Sequence, residues 1–234
     1  MLGLLIDRDL KLLRFMGQWQ FMQVAQCARY LGCSEQVARR RLRALKQLGL
    51  VTVVVPFADM KQVYWVTTEG IKLVRGVVPA NSPKLGPKLS QFEHDRILVD
   101  IAVDFAVANQ DYDIYGEIEM RRVDAEAVAQ NESTRFAIKR WQAARQVNVF
   151  PDMSAVKNGR RFVIEYEHTQ KDRARLQSLM SAYANSSEVA AIKYYASPAA
   201  FPQLSRVYEH LLPNLPHVGG KPKVQIEQYE EGSE

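Results

Sequence analysis

Hydrophobic and polar positions along the chain follow a helical period first, a strand period next, and then alternate between the two. From Asp7 to about Gly17 apolar residues recur at helical spacing, with Leu10, Leu13, Phe15 and Met16 available for burial. Met22 to Leu31 repeats the pattern and ends at Gly32, a residue suited to a helix C-terminus. Ser34 is placed to cap a third helix over 35–48 that stops at Gly49, with Val37, Leu42, Leu45 and Leu48 as its buried side. The period then shortens: 50–55 and 63–67 predict two strands around a turn region, and 68–75 a short closing helix. A Pro-punctuated stretch with little periodicity follows, over 77–90, and reads as a linker. Beyond it, the pattern predicts a helix over 91–108, a strand over 114–121 and a helical or mobile segment over 124–145. A hairpin around 147–167, a helix over 172–184, a strand over 189–196, a helix over 202–212 and a last strand over 224–229 complete the chain.

The hairpin organises the second half. Asn158 and Gly159 form the dipeptide that most readily supplies both positive-φ positions of a two-residue type I′ loop. If they are the loop, Lys157 pairs with Arg160, Val156 with Arg161, and so outward until Asp152 falls opposite Glu165. Strand alternation then sends Val163, Glu165 and Glu167 to one face. Opposed like charges destabilise a sheet by about 0.2 to 1 kcal/mol. Two neutralisers are open: a hard divalent cation, Mg²⁺ or Mn²⁺, held by one or two of these acids, or nearby Arg and Lys on a solvated sheet face. On the strand predicted over 114–121, Glu119 could join the group if that strand neighbours the hairpin. His94 shares the apolar stripe of the 91–108 helix, four residues before Leu98 and seven before Ile101. It is either a hydrogen-bonded core residue or a site residue near the helix start.

Charge changes the picture of the first half. The formal net charge is +5, but residues 1–78 hold twelve Lys and Arg against five Asp and Glu, whereas the remainder holds nineteen against twenty-one. A basic module joined to a near-neutral one points to a polyanionic partner for the former. Much of that charge, Arg39, Arg40, Arg41, Arg43 and Lys46, lies on the third helix. Around 135–145, Arg135, Lys139, Arg140 and Arg145 interleave with Phe136 and Trp141, which suits a nucleic-acid strand or a solvated helix with two buried aromatics. Cys27 and Cys33 have no His or second Cys pair to complete a zinc site and are expected to be reduced and packed. The start of the chain meets Asp7 too early for a signal peptide, and no apolar run of membrane-spanning length occurs, so membrane insertion is not expected and a cytoplasmic location is.

A helix, a tight turn over Gly32 to Ser34, an Arg-rich second helix and two strands, with Leu42, Leu45, Leu48, Gly49, Leu50 and Val51 followed by the run from Trp65 to Gly70, resemble the winged helix-turn-helix family over residues 7–76. Its second helix enters the DNA major groove. Pro151 and Asp152 on one strand, and Glu165, Tyr166 and Glu167 on the next, resemble the restriction-endonuclease-like superfamily of PD-(D/E)xK nucleases. Together with the helix start at Glu93, His94 and Asp95, the chain over about 7–200 resembles the replication-relaxation family, which includes the mobilisation-C class of plasmid relaxases. That resemblance implies an α+β and α/β chain: a winged helix over 1–76, a linker over 77–90, a nuclease-like mixed sheet flanked by helices over 91–229 and an acidic tail over 230–234. It implies metal-dependent nicking of double-stranded DNA at a plasmid transfer origin during conjugative mobilisation, with other mobilisation or coupling proteins as further partners. Asp152 and Glu165 would hold Mg²⁺ or Mn²⁺, Glu167 would act as ligand or base, and His94 would line the site. The lysine of the motif, expected two residues after Glu165, is replaced by Glu167, and a position on the next helix that could host a migrated lysine is Leu179. Lys171, near His168, is the nearest substitute. The alternative is a DNA-binding regulator or accessory factor whose nuclease-like domain is a scaffold.

Overall fold

The computed structural model describes residues 5–56, 58, 60–75, 85–142 and 145–230. Residues 77–84 of the expected linker and 231–234 of the expected acidic tail lie outside the described residues. The described chain is a mixed α/β protein with eight α-helices and several sheets, and it divides into two compact units, Met1–Gln110 and Asp111–Glu234.

In the first unit α1 (Asp7–Met16), β1 (Met22–Gln23), α2 (Val24–Leu31), α3 (Glu35–Gln47), β2 (Val51–Val54), β3 (Val63–Val66), α4 (Thr68–Arg75) and α5 (Phe92–Ala108) follow one another. The antiparallel sheet has the order β1-β3-β2, so the short strand ahead of α2 pairs with β3 where the sequence pattern predicts helix alone. Gly32 takes φ 61° at the end of α2, and Ser34 caps α3, its Oγ accepting the Val37 N–H at 3.4 Å. Ala38, Leu42 and Leu45 are the buried stripe of α3. At Gly70 a Cβ would stand 2.3 Å from the Leu50 carbonyl oxygen, so α4 can approach the start of β2 only through a glycine.

The expected domain boundary at 90/91 differs from the observed division. The helix expected to open the second domain, α5, is held by the first. Phe92 stacks on Phe21 with ring centroids 4.7 Å apart, the buried Gln26 amide donates to the Arg96 carbonyl at 2.9 Å, and Arg29 pairs with Asp100. The apolar stripe read from the sequence is real, but Phe92 and the polar edge carrying Arg96 and Asp100 bind the helix to α2 and β3.

The second unit comprises β4 (Asp113–Gly116), α6 (Glu117–Ala129), β5 (Ile138–Gln142), β6 (Arg145–Val149), β7 (Met153–Lys157), β8 (Arg160–Glu167), α7 (Arg173–Asn185), β9 (Val189–Ala196), α8 (Phe201–Leu211), β10 (His217–Val218), β11 (Lys221–Pro222) and β12 (Val224–Gln228). Five strands form one mixed sheet in the order β12-β9-β8-β7-β4, with β12, β9 and β8 parallel and β7 and β4 antiparallel to their neighbours. The parallel steps require crossovers, supplied by α7 between β8 and β9 and by α8 between β9 and β12. Leu176, Met180 and Tyr183 of α7 and Leu204 and Val207 of α8 bury against Val163, Ile192, Ala196 and Val224 of the sheet.

Two segments differ from expectation. The strand predicted over 114–121 ends at Gly116, and Glu117–Ala129 is helix α6; Glu119 therefore bonds Arg122 at 2.8 Å rather than joining the acids of the hairpin. The segment over 124–145 is the end of that helix followed by β5, and β5 pairs with β6 in a separate two-stranded ribbon.

Candidate functional site

The β7–β8 hairpin turns at Asn158 and Gly159, with φ 51° and 73°, as a two-residue loop with both central residues in the left-handed region requires. The register runs Lys157 with Arg160, Val156 with Arg161, and outward to Met153 with Ile164. One step further sets Asp152 across from Glu165. There the backbone ladder stops and the Asp152 carboxylate continues it, Oδ2 accepting the Tyr166 N–H at 2.8 Å.

Glu165 and Glu167 lie at the carboxyl end of β8 and are almost completely buried, at 3 % and 2 % exposure. In sheets with parallel strands this end is where ligands are usually bound. The Tyr183 hydroxyl, reaching from α7, donates to Glu165 Oε1 at 2.7 Å. Lys171, in the loop after β8, turns back onto Glu167, with Nζ 3.1 Å from Oε1 and 2.9 Å from Oε2. Tyr194, paired with Glu165 across β8 and β9, is fully buried, and its hydroxyl has no hydrogen-bond partner among the described residues.

The electrostatics tie these groups together. Burial pushes the Glu165 carboxyl well above the ordinary carboxylate range; the charges of Asp152 and Glu167 push it further, while Lys171 and the Tyr183 hydrogen bond pull less strongly the other way. Burial alone would lower the Lys171 pKa, but Glu165, Glu167 and Asp152 outweigh it and raise the value. Burial, and then the charges of Glu165, Glu167 and Asp152, push the Tyr194 hydroxyl well above its ordinary range.

In chemistry the donor set suits a hard divalent cation: Asp152, Glu165 and Glu167 offer oxygen only, and two of these acids are almost dry. Among the described residues, no three His, Cys, Asp or Glu side chains converge as a ready-made cage. Mg²⁺ does not need one, since it commonly takes one or two carboxylates and keeps several waters.

The other expected site residues lie in the first unit. His94 lies on α5 in the first unit, with Nδ1 3.3 Å from Asp95 Oδ1, and Asp152, Glu165, Glu167 and Lys171 lie in the second. On α3, Arg40, Arg43 and Lys46 are exposed, and Arg39 meets Glu35 one turn earlier at 3.5 Å. Arg41 instead flanks the buried stripe and forms a two-bonded ion pair with Asp9, a residue only 2 % exposed; Nε lies 3.0 Å from Oδ1, and the second bond joins Nη2 to Oδ2. This pair ties the half-buried Arg41 of α3 to α1. Tyr183 and Tyr194 carry no site signal in the sequence: Tyr183 is legible there only as part of a helical core stripe, and Tyr194 only as part of an apolar strand.

No family model matches the chain, and no curated protein matches it. Among solved structures, the crystal structure of protein VC1899 from Vibrio cholerae aligns at a TM-score of 0.31 and 11 % identity, over 96 % of this chain and 53 % of that one. The chain thus spans about half the length of that protein. No helix among the described residues is long and apolar enough to cross a membrane.

Proposed function

We propose that this protein binds DNA through its first unit and cleaves one strand of it at the Asp152–Glu165–Glu167–Lys171 group, using Mg²⁺ or Mn²⁺. The observation that carries this reading is the placement of the buried Glu165 and Glu167 at the carboxyl end of β8, with Asp152 bonded to the Tyr166 N–H between them and Lys171 bonded to Glu167. Asp152 and Glu165 hold the cation. When bound, such an ion stabilises charge on a phosphate and acidifies water. Tyr183 fixes the rotamer of Glu165. Lys171, oriented by Glu167, supplies a fixed positive charge toward the phosphate, the part the nuclease motif gives to a lysine two residues after the second acid.

In the first unit, the element order and the three-stranded sheet suit a winged helix, with Arg40, Arg43 and Lys46 presented on the outer side of α3. The resemblance to the replication-relaxation family extends the proposal to nicking at a plasmid transfer origin. A supercoiled plasmid bearing such an origin, incubated with Mg²⁺ or Mn²⁺, is expected to relax with the parent protein. Asp152→Ala or Glu165→Ala should abolish relaxation and leave DNA affinity nearly unchanged. Equal nicking by the double variant would refute the site.

A second reading is favoured by one ion pair. Lys171 already neutralises Glu167, and a neutral Glu165 bonded to Tyr183 needs no cation. Under that reading the second unit is a scaffold and the protein a DNA-binding regulator, and the parent shows no metal-dependent relaxation at all.

A further inference from the structure

The β5–β6 ribbon stands apart from the five-stranded sheet, and its root and its outer part have opposite characters. At the root the buried Asp124 accepts three successive backbone N–H groups, from Arg135 at 2.8 Å, Phe136 at 3.0 Å and Ala137 at 2.6 Å. The buried Arg161 of β8 donates to the Arg135 and Phe136 carbonyls at 2.8 and 3.0 Å. Phe136 is fully buried, and Ile138 and Val149 join the apolar cluster around α7. The direction in which the ribbon leaves the unit is therefore fixed by a two-sided clamp on its backbone.

Further out, the strand period sorts the side chains. Trp141 stands directly opposite Gln146, and Lys139 directly opposite Asn148. These four share one face, and all four are exposed; Trp141 retains 66 % of its surface. The other face carries Ile138, Val147 and Val149, with Arg140 bonded to Gln142 at 2.8 Å. A large exposed indole beside a lysine and two carboxamides is an unusual way to finish a ribbon whose root is so firmly held.

We infer that this face is a single-strand nucleic-acid platform: Trp141 stacks on an unpaired base, Lys139 meets a phosphate, and Gln146 and Asn148 hydrogen-bond base edges. Charge complementarity selects the partner. From Ser133 to Pro151 the sequence contains Arg135, Lys139, Arg140 and Arg145 and no Asp or Glu; Lys139 lies on this face, Arg140 and Arg145 on the other, and Arg135 at the root. Cations beside an exposed aromatic are the combination that follows a strand's backbone while stacking its bases. The ribbon also leads into the proposed site: Val149 precedes Asp152 by three residues, so their Cα atoms are at most about 11 Å apart. The inference rests on the proposed function in taking DNA as the ligand, and it adds which strand state is held and by what.

Binding of a fluorescein-labelled oligothymidylate of about 20 nucleotides, and of the matching duplex, is measured in EDTA with full-length protein carrying Arg40→Ala and Arg43→Ala, so that the first unit contributes little. The single strand is expected to bind more tightly than the duplex and to quench tryptophan emission. Trp141→Ala should weaken single-strand binding roughly 5- to 150-fold, the loss of one base–aromatic stack, and Trp141→Phe should restore most of it. Unchanged binding by Trp141→Ala overturns the inference, as does equal quenching in that variant. So does a concentration-dependent dimer that Trp141→Ala abolishes while nucleic-acid affinity stays intact, which would make the face a protein interface. Cleavage plays no part in this measurement, so failure of the platform leaves the metal-site proposal standing, and failure of nicking leaves the platform standing.

Discussion

Arg41 and Asp9 form an ion pair inside the first unit, 32 residues apart in sequence, with the carboxylate almost wholly removed from water. Breaking a buried pair leaves the surviving charge without its partner, which typically costs about 3 to 5 kcal/mol. Arg41→Ala is therefore expected to lower the thermal midpoint of the protein by several degrees or more. A midpoint within a degree of the parent would contradict a stabilising role for this pair.

Arg40 and Arg43 should behave in the opposite way. They are exposed on α3, so replacing both by Ala should change stability by no more than about 0.5 kcal/mol. If they meet phosphates, the slope of log K against log salt should fall in magnitude by roughly 1.8, at about 0.9 for each phosphate no longer neutralised. An unchanged slope would remove α3 from the DNA-binding surface.

The hairpin loop gives a backbone prediction. Gly159 has φ 73° and open space where a Cβ would stand, so Gly159→Ala introduces torsional strain and no clash. The expected loss is about 1 to 2 kcal/mol, read from denaturant unfolding. No loss would mean that the turn adopts another conformation.

Glu165 ties stability to pH. Its folded-state pKa lies well above the ordinary value of 4.5, so between the two values the folded protein holds a proton that the unfolded chain has released. The stability associated with the neutral acid is complete below about pH 4.5 and declines as pH rises through the folded value. Glu165→Gln keeps an acceptor for Tyr183 and removes this decline. In metal-free buffer the variant's thermal midpoint should gain on the parent's as pH rises above about 4.5. A difference that stays constant or shrinks as pH rises from 4.5 would contradict a buried, charge-crowded Glu165.

Much of the fold is legible in the sequence, and the departures have physical causes. Asn158 and Gly159 specify their loop through local torsions, so the register of β7 and β8 follows from two residues. In α6 the alternation of Tyr115, Glu117, Glu119 and Arg121 imitates a strand; the helical signal is the Glu117–Arg121 and Arg122–Glu126 spacing, which joins opposite charges one turn apart. The sequence from Ile138 to Val149 contains no Gly or Pro, and its long cationic side chains suit helix as well as strand. Arg41 reads as one of a basic cluster because Asp9, which draws it inward, is distant in sequence. Lys171 and the three acids are within reach of motif and register, whereas the roles of Tyr183 and Tyr194 depend on α7 and β9 packing beside Glu165, which no local pattern encodes.

Whether Asp152 and Glu165 hold a divalent cation is tested most directly, without DNA or turnover, by Mn²⁺ binding followed with electron paramagnetic resonance. The parent is expected to bind one Mn²⁺ per chain, displaced by excess Mg²⁺, with Asp152→Asn and Glu165→Gln each weakening that binding at least tenfold while remaining folded. No site in the parent at millimolar Mn²⁺, or a site that both variants retain unchanged, would contradict the claim.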